Sequence, residues 1–290
     1  MIYVIVNPLA GKGNAKNAMR ELTYALNTHI IEHRVSLTEY RGHAERLAYE
    51  LSRRADCELI VAIGGDGTFN EVVSGMDLST PIALVPAGTG NDFAYGVGLE
   101  KDPRKVADKI AEGSFKKFDV IKLNSRRCLN VAGTGFDVDV LLNERKIRRV
   151  MDGKNTYLLS LFVSLLGLKF TTISLTVDHG FERVMPIFLI AAANGNYYGG
   201  GLPICPGASS TDGKIDLVVV KKFPRILLPY ILVKFFTKRL HTVKKYVEII
   251  KCESVNFSAH NKLPINIDGE LINDSKAELN IMPEAMTVVF

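Results

Sequence analysis

Short apolar runs alternate with amphipathic helical stretches over about the first 120 residues of the chain. The strand candidates are Ile2–Val6, Ile30–Leu37, Leu59–Gly64, Ile82–Pro86 and Phe118–Leu123. The helix candidates between them are Ala15–Leu26, His43–Arg54, Phe69–Met76 and Pro103–Glu112. This alternation predicts a parallel sheet with helices on its faces. In such sheets ligands bind at the carboxyl ends of the strands, where the strand order reverses.

The pattern changes after Asn124, where strand-like runs dominate and few helices lie between them. The strand candidates here are Cys128–Gly133, Thr172–Val177, Arg183–Ala193, Lys214–Val220, Tyr246–Ile250, Val255–Ala259, Pro264–Ile267 and Glu278–Ile281. Glycine, proline and Asn/Asp turns separate them, which is typical of a mostly antiparallel sandwich. Two helical insertions are expected, near Asp137–Lys169 and Pro224–Thr237.

The two patterns together predict a fold class of α/β plus all-β, and 290 residues are enough for two domains. Residues 1–124 are expected to form an N-terminal, Rossmann-like three-layer α/β domain. Residues 125–279 are expected to form a C-terminal, mostly antiparallel β-sandwich domain. Whether the C-terminal segment, from about residue 280 to residue 290, rejoins the first domain is left open.

The composition is that of an ordinary globular protein, with 47% apolar and 23% charged residues. The four cysteines lie far apart and form no CxxC pair, which favours thiols in a reducing compartment over disulfides or a zinc site. The start of the chain lacks the features of a signal peptide. The longest apolar runs, Tyr157–Leu168 and Ile226–Val233, are shorter than the roughly 20 residues that span a bilayer. We therefore expect a cytoplasmic protein.

The small excess of positive charge is local. Between Leu217 and Val247 the chain has eight cations and no acid, and the cations are Lys221, Lys222, Arg225, Lys234, Lys238, Arg239, Lys244 and Lys245. This stretch, 221–245, also carries a strongly apolar segment, so it could lie peripherally on an anionic membrane at its inner face. A helix packed on the sandwich with a solvated basic flank is an equally good interpretation. No nucleic-acid motif accompanies the patch, so nucleic-acid binding is not expected.

A strand that runs into a glycine cluster and then a helix, Ile60–Thr68, is the first candidate for chemistry. Glycines let backbone N–H groups approach phosphate oxygens closely, and the start of a helix adds positive potential there. Asp66 lies among these glycines, where it could face a magnesium ion or its waters. A tight strand-to-helix turn with Asp66 as the N-cap is the alternative.

A second glycine cluster, Val85–Phe93, again follows a strand and precedes a helix, so the two loops should line one crevice. A third segment, Asn7–Gly13, leaves the first strand but is not a Walker A loop, because the spacing differs and no Ser or Thr follows the lysine. The chain also lacks a G-x-G-x-x-G fingerprint. An NAD-dependent dehydrogenase is therefore not expected.

Taken in order along the chain, the motifs resemble those of the diacylglycerol kinase catalytic family, which includes sphingosine kinases and bacterial lipid kinases. They are N-P at Asn7–Pro8, T-E-Y-R-G-H-A at Thr38–Ala44, G-G-D-G-T at Gly64–Thr68, P-A-G-T-G-N-D-F-A at Pro86–Ala94, G-F-D at Gly135–Asp137, G-G-G at Gly199–Gly201, P-G-A-S-S-T-D-G at Pro206–Gly213 and I-D-G-E at Ile267–Glu270. The resemblance covers nearly the whole chain. One departure is Tyr95, where many members have arginine.

The resemblance implies an ATP- and Mg²⁺-dependent kinase that transfers a γ-phosphoryl group to a hydroxyl of a diacylglycerol-like lipid, in a cleft between the two domains. It implies nucleotide contacts at Asn7, Pro8, Gly11, Thr38, Gly64, Gly65, Asp66, Gly67, Thr68, Asn70 and Thr89. The first domain would then bind ATP, and the second would face the lipid substrate.

The resemblance also implies that Asp268 accepts the proton, with Glu270 beside it, and that Asp212 holds magnesium with the backbone of Ser209 and Lys214. On an extended strand the Asp268 and Glu270 side chains would point to the same face. Asp-Gly is also a common hairpin signal, so a solvated turn is the alternative at Asp268. At Asp212 a turn and a magnesium ligand are compatible, since magnesium keeps several waters.

Two other functions stay open. One is a kinase for a different acceptor, such as a sphingoid base or NAD. The other is a nucleotide- or lipid-binding regulator without catalysis, which the joint presence of Asp66, Asp212, Asp268 and Glu270 disfavours. The identity of the lipid, the preference for ATP and the oligomeric state are likewise left open.

Overall fold

The structure, a computed structural model, describes residues 1–147 and 156–290, so part of the predicted insertion Asp137–Lys169 lies outside the described residues. The strands of the first half are β1 (Ile2–Val6), β2 (His33–Leu37), β3 (Leu59–Gly64), β4 (Ile82–Pro86) and β5 (Phe115–Leu123). Its α-helices are α1 (Asn14–Thr28), α2 (His43–Ser52), α3 (Asp66–Gly75), α4 (Asp92–Val97) and α5 (Pro103–Glu112).

Four of these strands form a parallel sheet in the order β2–β1–β3–β4. The strand order reverses between β1 and β3, which is where such sheets bind ligands. Residues of α1 and α5 pack on one face of the sheet, and residues of α2, α3 and α4 pack on the other. The three-layer α/β prediction is confirmed.

The predicted start of the second strand is wrong. The strand predicted from Ile30 begins at His33, because Ile30 adopts a positive φ of 57° that turns the chain. The helix expected after the second glycine cluster is α4, whose bounds could not be predicted because six residues are too few to show a helical period.

The second half is rich in antiparallel strands, as predicted. The strands are β6 (Arg126–Cys128), β7 (Val131–Gly135), β8 (Thr171–Val177), β9 (Arg183–Ala193), β10 (Tyr197–Tyr198), β11 (Leu202–Pro203), β12 (Ile215–Lys221), β13 (Val247–Cys252), β14 (Ser254–Ile267) and β15 (Glu270–Val289). Its described α-helices are α6 (Phe136–Ile147), α7 (Thr156–Leu166) and α8 (Leu228–Phe236).

Strands β9 and β14 each pair with both β7 and β8, so these four strands close around a core. Leu175, Ile187 and Phe257 are buried in that core. Strands β12 and β13 extend the sheet from β9. The separately predicted Val255–Ala259 and Pro264–Ile267 are parts of the single strand β14, whose pairing with β15 shifts register between Ser258 and Leu263.

The last strand, β15, belongs to both halves of the protein. Its first part pairs with β14, and its second part runs antiparallel to β5. Val288 lies beside Ile82 of β4 in parallel orientation. Within the described residues, one sheet of 13 strands therefore passes through the whole molecule. No helix in the described parts of the chain is long and apolar enough to cross a bilayer.

Candidate active site

The predicted nucleotide residues gather at the carboxyl ends of the parallel strands. Asn7 follows β1, and its Nδ2 donates a hydrogen bond of 3.0 Å to Oγ1 of Thr68 on α3. This contact crosses the point between β1 and β3 where the strand order reverses. Thr38 follows β2, and its N–H donates to the carbonyl oxygen of Val6 at 2.8 Å.

The glycine loops pack directly against each other, as expected from their sequence positions. A Cβ atom at Gly88 would lie 2.4 Å from Cα of Gly65, so a larger residue would force the loops apart. Gly11 has a positive φ of 59°, and a Cβ there would lie 2.0 Å from the carbonyl oxygen of Ala87. A Cβ at Gly67 would meet nothing within 4 Å, which marks open space at the start of α3.

Asp66 lies in the first turn of α3, but the N-cap of this helix is Gly65. The N-cap alternative for Asp66 is therefore wrong. Its Oδ1 instead accepts a hydrogen bond of 3.3 Å from the backbone N–H of Phe93, at the start of α4. Burial raises the pKa of Asp66.

Asp92 is a site residue that was not predicted from the sequence. The residue is only 7% exposed, and its Oδ2 accepts a hydrogen bond of 2.8 Å from the N–H of Gly200. Burial raises the pKa of Asp92, and the negative charges of Asp66 and Asp268 raise it further. The three carboxylates therefore influence one another. The only sequence signal was that Asp92 belongs to the second glycine cluster.

Asp268 and Gly269 form the two-residue turn between β14 and β15. Their φ angles are 48° and 90°, and Ile267 pairs with Glu270 across the turn. The prediction of an extended strand with Asp268 and Glu270 on one face is therefore wrong, because the Asp-Gly pair bends the chain as its hairpin alternative required. The role of each carboxylate stays a prediction.

The Asp268 carboxylate is held by an array of donors. The backbone N–H groups of Leu129, Asn130 and Val131 donate to it at 2.7, 2.9 and 2.9 Å. Nδ2 of Asn70 donates to Oδ2 at 2.7 Å. Burial raises the pKa of Asp268 although the backbone bonds act in the opposite direction. A carboxylate fixed in place with a raised pKa is suited to accept a proton.

Glu270 and Asn70 have partners that the sequence did not indicate. Nη2 of Arg41, in the loop after β2, lies 2.6 Å from Oε1 of Glu270. Asn70 was predicted to contact the nucleotide, which stays a prediction, and its amide nitrogen donates to Asp268. Glu270 and Asp268 thus each contact a residue of the first half of the chain.

A buried pair of side chains supports the Asp268 turn from behind. Oδ1 of Asn266 accepts from the N–H of Gly269 at 2.8 Å, and its Nδ2 donates to Oδ2 of Asp137 at 3.1 Å. Burial raises the pKa of Asp137 to about 6. The sequence offered one signal for this pair, the G-F-D motif that contains Asp137.

The residues predicted to hold magnesium lie before β12. Oδ1 of Asp212 accepts from the backbone N–H of Lys214 at 3.1 Å, which is a turn of the kind the sequence allowed. Oδ2 of Asp212 lies 2.6 Å from Nζ of Lys251, which is also 3.3 Å from Oδ2 of Asp216. The hydroxyl groups of Ser209 and Thr211 lie 3.1 Å apart. The Lys251 ammonium thus contacts one of the two Asp212 oxygens, and magnesium at Asp212 stays a prediction.

An apolar slot of about 560 Å³, including the part open to solvent, lies in the second half of the protein. It is lined by Phe136, Val140, Leu161, Phe188, Leu189, Tyr198, Leu202, Val220, Ile231, Leu232, Phe235, Phe236 and Leu240. Tyr198 and Leu202 pair with each other in the β10–β11 hairpin, whose tip is Gly200. The turn of this hairpin therefore contacts Asp92, and its two strands line the slot.

A glycine-lined crevice at the end of a parallel sheet, a cluster of acids and an apolar slot beyond it define a two-part kinase architecture. Residues 1–123 match the diacylglycerol kinase catalytic domain, and residues 130–290 match the YegS C-terminal NAD kinase beta sandwich-like domain. The chain belongs to the diacylglycerol kinase catalytic family, and it is a kinase.

Individual relatives agree with this assignment. The chain is 29% identical to the diacylglycerol kinase of Bacillus subtilis (strain 168), over 92% of this chain and 88% of the relative. A solved diacylglycerol kinase of Bacillus anthracis str. Sterne is 20% identical with a TM-score of 0.73, covering 100% of this chain and 96% of that one. A solved NAD kinase from Archaeoglobus fulgidus in complex with ATP is 13% identical with a TM-score of 0.57, covering 100% and 94%. The two solved structures show the shared fold.

Proposed function

We propose that the protein transfers the γ-phosphoryl group of ATP, with Mg²⁺, to a hydroxyl of a diacylglycerol-like lipid in the cleft between its two halves. The observation that carries this proposal is the β10–β11 hairpin. Its tip touches Asp92, beside the glycine crevice, and its arms wall the apolar slot. A lipid chain in the slot would bring its polar end to the carboxylates.

ATP suits the crevice between β1 and β3. Backbone N–H groups and the positive end of α3 meet there, and Gly67 leaves open space for an anionic group. The solved NAD kinase with the same fold is an ATP complex. Asn7, Thr38 and Thr89 are the polar side chains proposed to contact the nucleotide.

Asp66 and Asp92 are the proposed magnesium ligands at the phosphates. No group of three or more His, Cys, Asp or Glu side chains in residues 1–147 and 156–290 is arranged to hold a metal ion. Magnesium often uses one or two carboxylates together with substrate phosphates, so two acids fit it. When bound, the ion would neutralise phosphate charge. Burial raises the pKa of both acids, and a bound cation would favour their charged forms.

Asp268 is the proposed proton acceptor. The lipid hydroxyl oxygen would bond to the γ-phosphorus as the bond from that phosphorus to ADP breaks, and the hydroxyl proton would pass to the Asp268 carboxylate. The backbone N–H groups of residues 129–131 and the Asn70 amide would fix the carboxylate during this step. Glu270 would assist from its position against Arg41.

The test is transfer of labelled phosphate from ATP to lipids in mixed micelles. The panel contains diacylglycerol, monoacylglycerol, sphingosine, ceramide and phosphatidylglycerol, with NAD as a polar acceptor. Asp268→Asn is compared with Asp108→Asn, which removes an exposed carboxylate that pairs with His29 on the first half of the protein.

Label in a lipid with the wild type and Asp108→Asn, and none with Asp268→Asn, would support the proposal and name the acceptor. Label in NAD alone would show that the acceptor is a polar molecule and not a lipid. ATP binding without transfer to any acceptor would point to a regulator.

A further inference from the structure

Helix α7 leaves several apolar side chains exposed, although Leu161 and Leu165 pack against the core. Four of them recur at i, i+3, i+4 and i+7, which places them on one helical face, and they are Leu159 (42% exposed), Phe162 (60%), Val163 (41%) and Leu166 (90%). The polar residues of the helix point the other way. Ser160 and Ser164 are 0% and 3% exposed.

The inward serines are satisfied by hydrogen bonds. The Ser164 hydroxyl donates to the carbonyl oxygen of Ser160 at 2.7 Å and accepts from Nδ2 of Asn143, on α6, at 2.8 Å. A helix on a protein in water normally buries its apolar face and exposes its polar one. The outer face of α7 instead carries four exposed apolar side chains, and the helix has no charged residue, which indicates that this face meets an apolar environment.

The segment around α8 extends this surface. Its exposed apolar residues are Ile226 (87%), Tyr230 (48%), Val233 (59%) and Phe236 (50%). Nη2 of Arg225 donates to the carbonyl oxygen of Leu168 at 3.1 Å, which ties this segment to the end of α7. We call the eight exposed residues of the two segments the apolar face. Phe236 also lines the slot, so the slot opens at this face.

The charges within the two segments that carry the apolar face have one sign. Residues 156–177 and 217–247 contain no Asp or Glu, and their cations include Lys169, Arg225, Lys234, Lys238 and Arg239. Apolar side chains bordered by cations match the interface of a bilayer that contains anionic lipids. At 11 residues α7 is too short to cross a bilayer of about 30 Å, so it would lie along the surface.

We propose that the apolar face docks the kinase on an anionic lipid bilayer and that the acceptor lipid enters the slot from the docked side. This inference deepens the proposed lipid kinase function and rests on it. A protein partner on the same face would cover the mouth of the slot, whereas a bilayer would supply the chain that fills it. The charge pattern and the slot opening therefore favour the membrane.

The test is cosedimentation of the full chain with vesicles of phosphatidylcholine alone and of phosphatidylcholine with phosphatidylglycerol. We expect binding to the anionic vesicles that weakens as salt is added. Phe162→Gln with Leu166→Gln removes two apolar side chains that do not line the slot, and we expect at least about tenfold weaker binding. Lys238→Gln with Arg239→Gln should lower binding to the anionic vesicles specifically.

Phe181→Gln is the matched control. Phe181 is 96% exposed, and β8, with seven residues or about 23 Å of strand, separates its turn from the end of α7. This variant should bind vesicles as the wild type does. Phosphorylation of a short-chain acceptor dispersed without vesicles is measured in parallel. The Phe162/Leu166 variant should keep that activity, so loss of docking and failure of the proposed reaction give different results.

Equal vesicle binding by the wild type and the Phe162/Leu166 variant would overturn the proposal. So would failure of the wild type to bind either vesicle. Concentration-dependent self-association that the same variant abolishes, without vesicle binding, would assign the face to a protein interface instead.

Discussion

The side-chain amide of Asn70, on α3, donates a hydrogen bond of 2.7 Å to Asp268, on the turn between β14 and β15. Two further hydrogen bonds cross the crevice, since Arg41 donates to Glu270 and the backbone N–H of Gly200 donates to Asp92. The orientation of the proposed base therefore depends on the domain that is proposed to bind the nucleotide. A shift of α3 would move the Asn70 donor and with it the Asp268 carboxylate.

Asn70→Ala should lower kcat about 10- to 100-fold while KM for ATP stays nearly constant. The substitution removes a hydrogen bond to a charged group, worth about 1.5–3 kcal/mol. Steady-state kinetics with varied ATP measures both constants. Ser74→Ala is the control, because it removes the hydroxyl that bonds Oδ1 of Asn70 and leaves the donor to Asp268 in place. A raised KM for ATP at unchanged kcat would instead support the nucleotide contact that the sequence suggested.

Gly67→Ala should weaken ATP binding, whereas Gly88→Ala should destabilise the fold. A Cβ at Gly67 meets no protein atom, so the melting temperature should stay unchanged or rise slightly, while ATP binding weakens because the methyl group enters the proposed phosphate space. A Cβ at Gly88 collides with Gly65, and we expect about 1–3 kcal/mol of destabilisation. Thermal melts with and without ATP measure both effects. Unchanged ATP affinity of Gly67→Ala would place the phosphates elsewhere.

The Arg41–Glu270 pair should contribute little to stability. Both side chains are exposed, at 70% and 40%, and such pairs contribute about 0–1 kcal/mol. A double-mutant cycle with Arg41→Ala and Glu270→Gln separates this contribution from catalysis. If Glu270 assists the base, Glu270→Gln will lower kcat more than Arg41→Ala does. Equal kcat values for the two single variants would limit Glu270 to its ion pair.

Asp137 should make the stability of the protein depend on pH. Its pKa is raised from 3.8 to about 6 in the folded state, so the folded protein holds this proton more tightly and loses stability as pH rises from about 4 to about 6. The loss is of the order of 3 kcal/mol above that window. Asp137→Asn removes the titration. Urea unfolding of both proteins at pH 4 to 7 should show the wild type losing stability relative to the variant, and parallel curves would contradict the assignment.

The length of the acyl chain should set KM for the lipid. Each methylene buried in the slot contributes about 0.8 kcal/mol, so KM should fall about fourfold per added carbon until the slot is full. Leu232→Phe narrows the slot, so in this variant KM should stop falling at a shorter acyl chain. A monoacylglycerol series assayed below the micelle concentration measures the slope. A KM that is independent of chain length in the wild type would place the chain outside the slot.

Much of the first half could be predicted from the sequence because its signals are local. The buried strands Ile2–Val6, Leu59–Gly64 and Ile82–Pro86 have the predicted bounds, since each is a continuous apolar run between turn residues. The glycine loops follow two of these strands, so their meeting in one crevice was also predictable. Helix Pro103–Glu112 has a proline at its start and Gly113 at its end, which mark it plainly.

The partners of the site residues could not be predicted in the same way. Asn70 and Asp268 are 198 positions apart, and nothing local in either segment indicates the other. The Asp268 turn had a local signal in Asp-Gly, but the family's use of that acid made an extended strand the preferred interpretation. Asp92 lies in the second glycine cluster, whose predicted role in lining the crevice rested on its glycines. Its contact with Gly200 depends on a hairpin more than 100 residues away.

The shared strand β15 has a consequence for how the crevice can open. The chain passes between the halves through β5 and β6 and again along β15, and β5 and β15 are hydrogen-bonded to each other. Opening therefore cannot be a swing on one loose linker, because it must bend a two-stranded ribbon. The register shift between Met282 and Met286 interrupts that ribbon, so the elastic strain of bending would concentrate there. The bent ribbon would then act as a spring that returns the crevice to one width when the bound ligands leave.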